Sequence, residues 1–121
     1  MKTAAQIVSA TKEFVRTCTP EEAIKRINAN REHSVVDVRE SDEYEKQHIK
    51  GSINVPRGVL EWKISSVCPD VDAPIIVHCA SGGRAVLAAK SMTDMGYRDV
   101  TAVDGSFADL SAAVKLSLIH I

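Results

Sequence analysis

The run Ile75-Ile76-Val77, entered from Pro74 and leading into Cys79-Ala80-Ser81-Gly82-Gly83-Arg84, constrains this chain more than any other segment. A short apolar run bounded by turn residues reads as a strand. The two adjacent glycines then free the backbone to turn. From Arg84 to Met95 the spacing is helical, with Ala85, Ala88, Ala89 and Met92 on one small-residue face suited to packing on a sheet. A strand passing through a tight loop into a helix is a unit of α/β folds. It also gathers converging backbone N–H groups and the positive end of a helix beside a cysteine. Such a loop is built to hold a sulfur anion.

The rest of the chain repeats the alternation of strand and helix signals, which predicts an α/β fold with a mostly parallel sheet. Thr3 and Gln6 have capping-box spacing, ahead of a helical face of Ile7, Val8, Thr11, Phe14 and Val15. Thr19-Pro20-Glu21-Glu22 is a stronger start signal, with a first-turn proline and Glu at the third position. Val35 to Val38 reads as a buried strand, and Asp42 and Glu45 are candidate caps for the next helix. A short helix is expected over 58–66, with Leu60 and Ile64 on one side. Strands follow at Ile75 to His78 and Val100 to Val103, Gly96 ends the helix between them, and Phe107 begins a terminal helix.

At 121 residues the chain forms one domain with a single core. A formal net charge of −1 gives no field to draw it to nucleic acid or acidic lipid. The three cysteines, Cys18, Cys68 and Cys79, are odd in number and lack Cys-x-x-Cys spacing. That argues against a disulfide framework and against a metal site, and fits a reducing compartment. The N-terminus lacks a signal-peptide apolar stretch, and no run approaches the roughly 18 apolar residues of a membrane span. A cytoplasmic protein without membrane attachment is expected.

The loop resembles that of the rhodanese-like sulfurtransferases, whose pattern is Cys-x-x-Gly-x-Arg: Cys79, Gly82 and Arg84 fill it. Val36-Asp37-Val38-Arg39-Glu40 with Glu43-Tyr44 is similar to the family's first strand and following helix. His48-Ile49-Lys50-Gly51-Ser52-Ile53-Asn54-Val55-Pro56 looks like its His-Ile-x-Gly-Ala-x-Asn-x-Pro segment. Met95-Gly96-Tyr97, Val100 and Val103-Asp104-Gly105 match its last helix–strand unit. The matches run in order from about Thr19 to about Leu110. The resemblance implies a central, mostly parallel sheet flanked by helices on both faces. With the N-terminal helical face, the expected division is an N-terminal helix over 1–18, a rhodanese-like domain over 19–115, and a tail over 116–121. That tail, Leu116-Ser117-Leu118-Ile119-His120-Ile121, resembles the translation of a transposon-type sequencing adapter, which reads it as non-native; the other reading is an ordinary amphipathic helix end. Ala85 stands where the family often has Ser. Gly105-Ser106-Phe107-Ala108-Asp109-Leu110 stands where it commonly has Gly-Gly-Phe-x-x-Trp.

The chemistry implied is sulfur transfer through a persulfide on Cys79, with Ala80, Ser81, Gly82, Gly83 and Arg84 as the anion-binding loop. A thiol with pKa ~8.5 is only about 3% thiolate at pH 7; at ~6.5 it is roughly 75%. That change corresponds to about 2.7 kcal/mol of anion stabilisation, more than a helix terminus supplies alone. The loop N–H groups and Arg84, turned toward the sulfur, are expected to supply the remainder. The other reading of Cys79 is a packing thiol at a strand end, and of Arg84 a surface ion pair. Arg39 is a candidate substrate contact or one half of a structural pair with Asp37. His48 is expected to bond backbone before Gly51, and His78 to pack under the loop or act as a base. Arg57 is a candidate for positive potential at the cleft rim, Trp62 for a core or groove aromatic, and Glu40 to Glu45 for a solvated face.

The implied donor is thiosulfate or a persulfide; the acceptor is cyanide, a thiol or a thioredoxin-like protein; no cofactor is needed. A cysteine phosphatase shares the Cys-loop-Arg order but has five residues between the two, against four here. The shorter loop suits a single sulfur atom. A non-catalytic or sensory module of the same family, binding a partner or reporting sulfane sulfur, is the alternative from another class.

Overall fold

The computed structural model describes residues 1–119, with side chains through residue 117. Its elements in chain order are α1 (Ala4–Thr11), β1 (Arg16–Cys18), α2 (Pro20–Ala29), β2 (Ser34–Asp37), α3 (Ser41–Lys46), β3 (Ile53–Asn54), α4 (Leu60–Val67), β4 (Ile75–His78), α5 (Gly83–Met95), β5 (Val100–Val103) and α6 (Phe107–Ile119). Short 3₁₀ turns cover Lys12–Phe14 and Arg57–Val59. The five strands lie in the order β1-β5-β4-β2-β3, and every neighbouring pair is parallel. The sheet is thus wholly parallel.

Side chains alternate across β4 because a strand has a period of two. Ile75 and Val77 face one core with Val36, Val38, Leu60, Ile64, Val86, Ala89 and Met92. Ile76 faces a second core with Cys18, Ala23, Val103 and Leu110. Helices α4 and α5 cover the first face and α2 and α6 the second, as a parallel sheet requires. Cys79 belongs to the first core, at the carboxyl end of the central strand.

The helix boundaries follow from local chemistry. Thr3/Gln6 and Thr19/Glu22 both form reciprocal capping boxes. Helix α5 ends where Gly96 takes φ +112°, with the N–H of Gly96 on the Thr93 carbonyl and that of Tyr97 on Met92, a Schellman closure.

Several local expectations change. Residues 1–18 are helical only over Ala4–Thr11, and Arg16–Cys18 adds an edge strand beside β5. The entry to α3 is closed by Glu43 accepting from the Glu40 N–H, not by Asp42 or Glu45. Trp62 is 80% exposed, so it is not a core aromatic. In the expected tail, residues 116–119 continue α6, and residues 120–121 lie outside the described residues.

Candidate active site at the Cys79 loop

Strand β4 is buried along its whole length and delivers Cys79 to the sheet's carboxyl edge with 1% of its surface exposed. Gly82 then takes φ +108°, a left-handed conformation that costs a residue with a Cβ about 1–2 kcal/mol. An added Cβ would also meet Asp104 Oδ1 at 3.3 Å and the Gly105 nitrogen at 3.4 Å. This turn aims two backbone donors at the sulfur: Gly82 N–H at 3.1 Å and Ala85 N–H at 3.3 Å from Sγ. The Phe107 N–H, from the start of α6, holds the Ala80 carbonyl at 2.9 Å. Two unbonded N–H groups of a helix start are therefore committed to one sulfur atom. That arrangement stabilises a thiolate, or the inner sulfur of a persulfide, without any side chain.

Arg84 lies where the loop enters α5, but its guanidinium is on Glu43 rather than on the sulfur. Nη1 donates to Oε1 at 2.8 Å and Nη2 to Oε2 at 3.3 Å. The Arg84 bonds, followed by the Glu40 N–H, hold the Glu43 carboxyl well below its usual range, at about 2. The Arg84 pKa is raised, chiefly by the same pair, and the charge of Cys79 acts on it more weakly. Glu43 is thus tied to the loop arginine, while Glu40, Asp42 and Glu45 are exposed.

The remaining candidates separate into those around the sulfur and those supporting it. Ala80, Ser81, Gly82, Gly83 and Arg84 form the loop, with Ser81 exposed at its tip and Val8 of α1 packing near Gly83. Asp37 is fully buried and accepts from the Arg39 backbone N–H and from Nε and Nη2, the last at 2.8 Å. Arg39 also donates to the Gln47 carbonyl and lies 3.9 Å over the Phe107 ring. The Arg39–Asp37 pair therefore braces the end of β2 as a structural unit. His48 is exposed, stacks on Tyr44 and pairs its Nδ1 with the Tyr44 carbonyl. Arg57 is engaged by Glu61 at 3.0 Å.

His78 packs against the site as the sequence suggests, 1% exposed and stacked on Phe107, with neither ring nitrogen hydrogen-bonded. Burial pushes its pKa down to about 4, against the pull of the Asp37 carboxylate 3.9 Å away. A neutral histidine with no partner suits packing better than proton transfer.

The departures around Gly105 are accommodated. Ser106 Oγ accepts from the Asp109 N–H at 3.0 Å, and Leu110 is buried in the second core. Among the described residues no cluster of His, Cys, Asp and Glu is placed to hold a metal ion, and the three cysteines are free. No described helix is long and apolar enough to cross a membrane.

A profile of the Rhodanese-like domain family matches residues 19–113. The chain belongs to that family. Among curated relatives of this rhodanese-like chain, thiosulfate sulfurtransferase PspE of Escherichia coli is 30% identical over 70 residues. That match covers 58% of this chain and 67% of PspE. A Bacillus subtilis relative, 35% identical over 80 residues, is covered over only 42% of its length. Among solved structures, a protein of unknown function from Rhodopseudomonas palustris, described as a possible tyrosine phosphatase, superposes with a TM-score of 0.84 at 27% identity. The match covers 94% of this chain and 92% of that one. The polysulfide-sulfur transferase homodimer of Wolinella succinogenes gives 0.72 at 27% identity, covering 87% and 79%.

Glu43, Asp104, Phe107 and the Ala85 N–H were not among the sequence candidates. Only Glu43 left a signal, its three-residue spacing from Glu40, which has capping-box form without the usual Ser or Thr.

Proposed function

We propose that the chain is a sulfurtransferase that carries a sulfane sulfur on Cys79 as a persulfide. The observation that carries this reading is the pair of backbone N–H groups directed at Sγ from the start of α5. Membership of the rhodanese-like family supports it, as does the likeness to PspE, whose name is that of a thiosulfate sulfurtransferase.

In the first half-reaction the Cys79 thiolate attacks the outer sulfur of the donor. A new S–S bond forms as the donor's sulfur bond breaks, and the leaving group departs with that bond's electron pair. From thiosulfate the leaving group is sulfite; from a persulfide it is a thiolate. In the second half-reaction cyanide or a thiol removes the outer sulfur, and Cys79 returns as thiolate. The Gly82 and Ala85 N–H groups hold the charge on sulfur at both ends of the cycle. Neither half draws on a cofactor. With four residues between Cys79 and Arg84, the loop favours a single sulfur over a tetrahedral oxyanion, so phosphatase chemistry is the weaker reading. A cytoplasmic thiol or a thioredoxin-like protein is the acceptor class proposed.

Thiocyanate production from cyanide, with thiosulfate and a persulfide as alternative donors, tests the reading. The wild-type chain turns over and Cys79→Ser does not. Equal turnover by both proteins overturns it.

A further inference from the structure

Three cations tied to the Cys79 loop and its supports, Arg84, Arg39 and Lys12, are each paired with a carboxylate. Arg84 is gripped through both terminal nitrogens by Glu43, at 2.8 and 3.3 Å. Arg39 is closed onto buried Asp37 at 2.8 Å. Lys12 bonds both oxygens of Asp104, the residue against which the loop's Gly82 is seated. Glu40 adds a further negative charge that acts on Arg84. Among the described residues the sulfur is met by backbone N–H groups, while these three cations are taken up by Glu43, Asp37 and Asp104.

This matters because sulfane donors differ in where their charge lies. Thiosulfate carries two negative charges, with its oxyanion bonded directly to the sulfur that is transferred. Its approach calls for a cation beside Cys79. In an alkyl persulfide the transferred sulfur hangs on a second sulfur and a carbon chain, and any carrier charge sits several bonds away.

Resting on the sulfurtransferase reading above, we infer that Glu43 sets donor choice by occupying Arg84, which biases this site toward alkyl persulfides and against thiosulfate. The favoured step is balanced with no further reactant. The Cys79 thiolate attacks the outer sulfur of R–S–SH, the bond between the two donor sulfurs breaks, and R–S⁻ leaves with its electron pair. The proton of the outer sulfur passes to that leaving thiolate, giving Cys79–S–S⁻ and R–SH. The thiosulfate step gives the same Cys79–S–S⁻ with sulfite, but both the donor and the departing sulfite are dianions beside Glu43. Glu43 itself stays ionised throughout neutral pH, since its carboxyl is held at about 2.

The test is the rate constant for loading sulfur onto Cys79, read by intact mass in a single turnover, so that no acceptor enters. The donors are thiosulfate and the persulfide of 2-mercaptoethanol, whose carrier bears no charge. Removing one partly screened charge in Glu43→Gln is expected to raise the thiosulfate-to-persulfide ratio about threefold to tenfold. Glu43→Asp, which keeps the charge, is expected to stay near the wild-type ratio. Glu40→Gln alters an exposed side chain and is expected to move the ratio upward by less; it serves also if Glu43→Gln does not fold. A ratio that is unchanged or lower in both Gln variants overturns the inference while leaving sulfur transfer intact. If neither donor loads sulfur onto wild-type Cys79, the sulfurtransferase reading itself falls, and this inference with it.

Discussion

Lowering the pH from 7 to 5 should destabilise this protein through His78. Its ring is sealed between β4 and Phe107, has no hydrogen-bond partner on either nitrogen, and faces an Asp37 carboxylate already taken by Arg39. Burial is the main cause of its depressed pKa of about 4, against the ordinary 6.5. A depressed folded pKa contributes stability that is complete above 6.5 and lost as pH falls toward 4. At pH 5 the unfolded chain holds nearly one proton more than the folded chain. Integrated from pH 7 to pH 5, the loss is about 2 kcal/mol, a substantial fraction of the roughly 5–15 kcal/mol that holds a domain folded. The assay is urea unfolding at both pH values, for wild type and His78→Leu. Leucine is close in volume and leaves no buried polar atom unpaired, so the variant should be at least as stable at pH 7 and lack this part of the acid loss. Comparing the two removes the contribution of every other titrating group. The reasoning is refuted if wild type and variant lose stability equally between pH 7 and pH 5.

Two substitutions probe the loop and its support. Gly82→Ala forces a Cβ into the left-handed region, 3.3 Å from Asp104 Oδ1, and should cost about 1–2 kcal/mol in urea unfolding. Because the Gly82 N–H bonds Sγ, it should also slow sulfur loading. Gly105→Ala would place its Cβ 2.7 and 2.9 Å from the Pro20 ring, so the start of α2 or the β5–α6 turn must move. An overpacking loss of about 1–3 kcal/mol, seen as a lower urea midpoint, is expected.

The parts of the fold legible in the sequence are those whose signal is local. Ile75–His78 and Val100–Val103 read as strands because each is a short apolar run between turn residues. Thr3/Gln6 and Thr19/Glu22 disclosed two helix starts because a capping box is a three-residue pattern. Arg16–Cys18 escaped because three residues, two of them polar, show no period; it is a strand only through its pairing with Thr101 to Val103. The same holds for Ile53–Asn54, defined by its register with Val36 and Asp37. At the site, the Cys79 loop could be read because glycines and a following helix imply converging N–H groups. The partner of Arg84 could not: Glu43 lies 41 positions away, and its approach depends on how α3 packs beside α5. Arg39 remained open for a different reason. Its partner Asp37 is two positions away, but only burial shows that the pair closes on itself.

The most direct measurement is the intact mass of the protein after incubation with thiosulfate and, separately, with a persulfide donor, beside a Cys79→Ala control. The account predicts a gain of one sulfur atom with the persulfide donor, discharged by cyanide or a thiol and absent from the control. No gain from either donor, or an equal gain in Cys79→Ala, would contradict it.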